Sequence, residues 1–489
     1  MFRNRKIIKL ISALLAVSML VGCGASDTSP VKDEEIKESA AQETVIDTDV
    51  VVLGGGAAGL SAAIEASDEG AKVTLLEKLS MLGGSTLLSG GIMYAAESPV
   101  QERAGVEESW EDLADYWIQM AEGDIDEEMI RFIAQHSGEA VSWLESHGVE
   151  FSEELSEQGV SPALRGHTTT SRGAGFISPL EKAANENGVE ILKSTKATKL
   201  LTDQNGNVIG TEAEDKDGNK IIINAKSVIL ATGGFNRNPE LLEEYSPVAS
   251  GQIHYVASGN TGDGLIMARE AGADIVSKNG VIGFRGVAED LPYTSALGGL
   301  VFAPNLYVDG NGERFMNEAN HYALMYKDMV ANETGRFYSI FSQENAPVEI
   351  LEEGIQKGYV FKGESIGELA KAIDVPENNF KSAIERFNEL AVKGVDEDFG
   401  NAAITPVQEG ILYALKVSPA TLGTFGGPRV NLKGEVLNTQ GDPIKGLYAV
   451  GEVANGQIYK DVYPASGTSI TSAFVLGRVT GIEAAKAAK

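Results

Sequence analysis

Residues 461–471 read DVYPASGTSIT: a tyrosine set against a proline, two small residues, a glycine, then the start of an apolar helical run. Tyr463 and Gly467 are the pair here that could do chemistry. A phenol O–H and a backbone N–H side by side in a tight turn can donate to one oxygen, and such preorganised neutral donors stabilise developing negative charge. A conjugated ketone accepting hydride at its β-carbon develops that charge. A second phenol could then protonate the α-carbon, provided neighbours help a group whose ordinary pKa is near 10. On residue types alone, Tyr463 reads better as a buried tyrosine whose hydroxyl caps a loop. In and just beyond NEANHYALM (317–325), His321, Tyr322 and Tyr326 are candidate proton donors.

The remaining histidines carry less. His167 and Arg172 lie in RGHTTTSRGAG (165–175), a loop that borders a site or caps a helix. His136 and His147 fall in polar helical stretches, and His254, before NTGDG (260–264), reads as structural. No histidine–carboxylate cluster has metal-ligand spacing, so no metal is expected.

The elements that must position these groups begin at residue 48. A β-branched run, Val50–Leu53, enters Gly54-Gly55-Gly56-Ala57-Ala58-Gly59; an amphipathic helical stretch follows, then a second apolar strand ending in Glu77. This is the G-x-G-x-x-G fingerprint in its strand–turn–helix context, with the acid that accepts from ribose hydroxyls. Gly54, Gly56 and Gly59 allow the tight turn and the approach of a pyrophosphate to a helix N-terminus. Three later segments favour FAD over NAD: GGSTLLSGGIM (83–93), SVILATGGF (227–235) and GLYAVGEVA (446–454). The last is a strand returning to the cofactor near the C-terminus. The expected class is α/β, a Rossmann-type FAD-binding domain with an inserted α+β cap.

The N-terminus sets the expected compartment. Arg3, Arg5, Lys6 and Lys9 lead into an apolar stretch ending Leu20-Val21-Gly22-Cys23, the pattern of a secretory signal. Leu-Val-Gly-Cys also resembles the lipobox of bacterial lipoproteins, which implies lipidation at Cys23, the chain's single cysteine. Cysteine nucleophiles, cysteine metal sites and disulfides are excluded. Residues 1–22 read as a signal and 23–46 as an acidic tether holding the folded part off the outer face of the cell membrane. Loss of the four basic groups in 1–22 leaves 36 Lys+Arg against 70 Asp+Glu, a net charge of −34. That excludes nucleic acid as a partner.

From about residue 47 to the end the chain resembles the FAD-binding family of fumarate reductases, succinate dehydrogenase flavoproteins and 3-ketosteroid dehydrogenases. The resemblance is carried by GGGAAG, LLEK, GGSTLLSGG, ATGGF, NTGDG, GERFMNE (312–318), GLYAVGE and the final turn. It implies an FAD domain from 47–279 and 423–489, with a substrate cap at 280–422. It also implies flavin contacts from Ala58, Glu77, Ser85, Thr86, Gly90 and Gly91, and from Asp263, Glu452, Ser469 and Ile470. Lys78, Gly84, Ser89, Ala197, Thr232 and Gly233 belong to the same expected set.

Departures within the family are informative. Tyr322 stands where fumarate reductases carry a proton-donating arginine, Pro464 where they carry a carboxylate-gripping one, and Phe284 where a cap histidine is expected; TLGTFGG (421–427) lacks a histidine too. A small dicarboxylate therefore finds no matching clamp. Tyr463-Pro464-Ala465-Ser466-Gly467 and Tyr322 are instead similar to the 3-ketosteroid dehydrogenases, where the turn tyrosine and glycine amide bind a ketone oxygen and the other tyrosine moves a proton. The expectation is an uncharged pocket, a substrate with C=C conjugated to a carbonyl, and a steroid-like enone as leading candidate. A dehydrogenase running in reverse, a respiratory reductase of another unsaturated small molecule, and a solute-binding lipoprotein retaining the flavin fold are the competing readings. With no C-x-x-C-H haem motif, a separate electron-transfer partner is implied: an FMN-binding protein, a cytochrome or a quinol-linked carrier.

Overall fold

The computed structural model describes residues 44–489 apart from 122, 304 and 409. The expected signal, Cys23 and most of the acidic tether lie outside the described residues. The end of that tether is not loose chain: Thr44–Asp47, rich in β-branched residues, is a strand paired in parallel with Lys220–Asn224.

A six-stranded sheet runs in the order Glu435–Leu437, Pro443–Ala449, Ser227–Leu230, Val50–Leu53, Val73–Glu77, Glu190–Lys193. All its pairs are parallel except the first. Val50–Leu53 and Ser227–Leu230 are buried along their whole length, as strands covered on both faces must be. The carboxyl ends of such strands are where α/β sheets bind ligands. Here Leu53 leads into Gly54, Glu77 into Lys78, Leu230 into the Thr232–Gly233 turn, and Ala449 toward Glu452. The α/β class and the dinucleotide-type sheet are as the sequence leads one to expect.

A second sheet is built on the 17-residue strand Leu412–Pro428. It pairs with Ile253–His254, Ile275–Gly286, Phe337–Ser342 and Val360–Gly363, and Leu306–Asp309 continues beyond Phe337–Ser342. The junctions expected at 280 and 422 fall inside Ile275–Gly286 and Leu412–Pro428, so continuous strands cross them.

The C-terminal helix, Thr468–Ala488, lies against the fingerprint helix, Ala57–Asp68, through small residues. A Cβ on Gly477 would sit 2.2 Å from Ser61 Oγ, and one on Gly481 2.3 Å from the Ala62 carbonyl oxygen. Arg478 adds a bond from Nε to Glu65 Oε1 at 2.7 Å. The turn before this helix is pinned separately. Thr471 Oγ1 accepts the Tyr94 N–H at 2.9 Å and donates to the Tyr94 carbonyl at 2.7 Å. Tyr116 O–H donates to the Pro464 carbonyl at 2.8 Å.

GERFMNE supplies a buried ion-pair cluster a few residues before Tyr322. Arg314 pairs with Glu318 and Asp396, both at 2.7 Å, and both carboxylates are fully buried. Burial pushes the Asp396 carboxyl up, but the Arg314 guanidinium and the Asn401 and Phe399 amides outweigh it and hold it well below the usual carboxylate range. This stability is therefore complete above the unfolded carboxylate pKa near 3.9 and is lost as pH falls toward the depressed folded value.

Two outcomes follow from this packing. Gly481→Val should destabilise the fold by about 3 kcal/mol or more, read as a fall in Tm, because backbone must move to admit it. Arg314→Met should cost about 3–5 kcal/mol in urea unfolding at pH 7. Its difference from wild type should shrink below about pH 4, where protonation discharges the stranded carboxylates.

Candidate active site

The carboxyl ends of the parallel strands open on a cavity of about 1270 Å³, larger than the ~300–1,000 Å³ of ordinary small-molecule pockets. Gly54 takes φ +112° as the chain leaves the first strand, and Gly56 caps the 12-residue helix without any side-chain hydrogen bond. A Cβ on Gly56 would meet nothing closer than 3.7 Å, so the uncapped helix end faces open space. Glu77, 6 % exposed, accepts from the Gly55 N–H at 3.0 Å and the Leu79 N–H at 2.8 Å, which fixes its carboxylate at the cavity wall. Thr86 Oγ1 lies 3.4 Å from the Ala57 nitrogen. Lys78 is held by Asp263 at 2.6 Å.

On the far side, Glu452 accepts from the Thr424 N–H at 3.0 Å and from Asn260 Nδ2 at 3.1 Å, and burial raises its pKa. The 21-residue C-terminal helix also begins without a side-chain cap, at Gly467 (φ +97°). Two uncapped helix ends, a fixed acid and a cavity of this size fit a dinucleotide with an anionic pyrophosphate.

Of the expected cofactor residues, Gly54, Gly56, Ala58, Glu77, Lys78, Gly84, Ser85, Thr86, Ser89 and Gly90 line the cavity, as do Ala197, Thr232, Gly233, Asp263, Glu452, Ser469 and Ile470. Gly59 and Gly91 do not. They are needed for backbone packing: a Cβ would lie 1.9 Å from the Gly54 oxygen at Gly59, and 2.3 Å from the Arg172 backbone at Gly91.

Tyr463, Gly467 and Tyr322 line the same cavity. The Ser469 N–H donates to the Tyr463 oxygen at 2.9 Å, so that oxygen is pinned while its own hydrogen remains to be donated. Burial raises the Tyr463 pKa; the Thr468 hydroxyl and the Ser469 and Gly467 amides oppose this in part. Gly467 thus acts on the phenol as well as lining the cavity. Tyr322 starts its own helix, Tyr322–Ala331, with its ring centroid 6.4 Å from that of Tyr463. Its oxygen accepts from Ser466 Oγ at 3.2 Å, and burial lifts its pKa well above 10. Ser466 and Tyr116 are functional neighbours that sequence reasoning passes over, since neither position announces what it will touch.

The other candidates separate. His321 lines the cavity, but neither ring nitrogen has a partner, and burial followed by the nearby Arg285 charge pushes it down to about 3. His167 is buried between Ser98 Oγ and the Arg165 carbonyl, away from the cavity. Tyr326 bonds Gln252 instead of facing the site. Arg172 reaches the Thr294 carbonyl at 3.0 Å from a strained φ of +53°. The expected uncharged pocket requires correction: Arg285, buried on the strand Ile275–Gly286, lines the cavity beside Phe284.

The family described as an FAD binding domain matches residues 49–470. The chain belongs to this family. It is 31% identical over 500 residues to urocanate reductase of Eggerthella lenta, covering 96% of this chain and 80% of that one. A flavocytochrome c3 fumarate reductase in its open conformation shares 28% identity at a TM-score of 0.75, over 91% of this chain and 79% of that one. The 3-ketosteroid-Δ4-(5α)-dehydrogenase of Rhodococcus jostii RHA1, solved with 4-androstene-3,17-dione, shares 27% at 0.75, over 92% and 99%. The chain is an FAD-dependent oxidoreductase acting on CH–CH groups.

Glu77→Gln tests the cofactor end. It replaces a charged acceptor held by two amides, so FAD affinity should fall by about 10- to 100-fold, measured by flavin absorbance after dialysis; full flavin retention would contradict the assignment.

Proposed function

We propose that the protein is a reductase of a C=C bond conjugated to a carbonyl. The observation that carries this is the Tyr463 hydroxyl, its oxygen pinned by the Ser469 amide at the wall of the cavity that Tyr322 also lines. Bound FAD supplies the hydride. Tyr463 stays neutral, because burial disfavours its ionised form, and hydrogen-bonds the carbonyl oxygen as enolate charge grows there.

Tyr322 delivers the proton to the strongly basic α-carbon of the enolate; burial opposes its ionisation, and the Ser466 hydroxyl, donating to its oxygen, offsets this in part by steadying the charge that proton loss leaves. His321 is not the donor: its ring is neutral and both nitrogens are shut off from water. Tyr255, Phe284, Tyr293 and Phe302 give the cavity an aromatic lining, which favours a broad enone of the steroid-like kind as leading substrate.

The same groups serve the reverse reaction, and dehydrogenation of a 3-keto compound is the second reading. Fumarate is disfavoured because Tyr322 and Pro464 stand where its arginine clamp is expected. In this reading the enzyme is exported, anchored through Cys23 and supplied with electrons by a separate carrier.

Tyr463→Phe should slow enone reduction by the reduced holoenzyme about 10²- to 10³-fold in single-turnover stopped flow, with FAD content unchanged. Tyr322→Phe should leave substrate binding intact and abolish most of the proton transfer. An unaltered rate in either variant removes that residue from the mechanism.

A further inference from the structure

Arg285 is the second-to-last residue of its strand, only 6 % exposed. Its Nε donates to the Val301 carbonyl at 2.9 Å and to Tyr307 Oη at 3.0 Å, and Nη2 donates to the same carbonyl at 2.6 Å. Nη1 has no such partner among the described residues, and none of the three bonds is to a carboxylate. The rings of Phe302 and Tyr307 lie 5.6 and 5.9 Å from the guanidinium carbon.

The other cavity-lining cations are differently placed. Lys78 and Lys196 are both paired with Asp263, and Arg172 is exposed. Arg285 is the buried one. A desolvated guanidinium without a counter-charge is costly, and the cost is recovered when an anion arrives with hydrogen-bonding geometry.

We propose that Arg285 binds an acidic group of the substrate, a carboxylate on the same molecule whose conjugated carbonyl meets Tyr463. The inference rests on the reductase reading above and narrows it: the substrate is an unsaturated carbonyl compound that is also a mono-acid. It does not restore a dicarboxylate clamp, because Tyr322 and Pro464 still stand at the two arginine positions of that clamp. His321 fits this arrangement. Its centroid lies 3.9 Å from that of Tyr322, both nitrogens lack partners, and burial pushes its pKa down to about 3, which disfavours a second charge at the subsite. Phe302 and Tyr307 fix the guanidinium plane, leaving one edge, Nη1, for the ligand.

The test uses FAD-loaded protein, chemically reduced, with a series of enones carrying one carboxylate at increasing distance from the C=C, each beside its methyl ester. In wild type the best acid should show a KM at least about 30-fold below that of its ester, the scale of a buried charged hydrogen bond, with similar kcat. Arg285→Gln should raise the KM of the acid by a comparable factor and leave the ester unchanged; Arg285→Lys should recover part of the preference. Calorimetric binding of the saturated acid and ester to oxidised wild-type holoenzyme gives the same comparison without any variant. Equal KM values for acid and ester throughout the series, or a preference that survives in folded Arg285→Gln, overturn the acid site and leave the reductase reading standing. Turnover of neither compound overturns the reductase reading and this inference with it.

Discussion

The site depends on the close approach of two helices. Gly477 and Gly481 on the C-terminal helix and Ser61 and Ala62 on the fingerprint helix leave no room for a side chain between them. That contact fixes the C-terminal helix against the fingerprint helix, and the starts of both helices open on the same cavity. One end awaits a pyrophosphate and the other holds the Tyr463 turn. Because helix N-termini carry unsatisfied N–H groups and partial positive charge, the arrangement concentrates donors where anionic and electron-accepting groups must sit.

The Tyr463 turn is over-determined. Tyr116 holds the Pro464 carbonyl, Thr471 bridges to Tyr94, and Ser469 donates to the phenol oxygen. Tyr322 arrives at the start of its own helix, with its ring packed against those of Phe284 and His321. Each phenol has its oxygen fixed by a donor, Ser469 N–H or Ser466 Oγ, so little reorganisation is needed when charge develops. The capping role and the catalytic role of Tyr463 are thus compatible: accepting an amide hydrogen orients the hydroxyl that donates.

Much of this was legible in the sequence because the dinucleotide half obeys local rules. Val50–Leu53, the glycines after it and Glu77 follow from β-branching, turn geometry and spacing. What local rules could not supply was partnership across the chain. Gly59 and Gly91 match ligand positions by motif, yet their missing side chains make room for backbone. Arg285 looks like any arginine in a strand until Ile275–Gly286 is laid against Leu412–Pro428 and its guanidinium turns out to be buried at the cavity wall. The pocket consequently combines neutral donors at the turn with a buried cation, Arg285, at the cavity wall.

The central claim is that a neutral Tyr463 hydroxyl polarises the substrate carbonyl. The infrared stretch of a ¹³C=O-labelled enone bound to the oxidised holoenzyme measures that polarisation in the ground state. A shift to lower frequency than in water, lost on removal of the Tyr463 hydroxyl, is the predicted result; a carbonyl stretch at its apolar-solvent position in the wild-type complex would contradict the account.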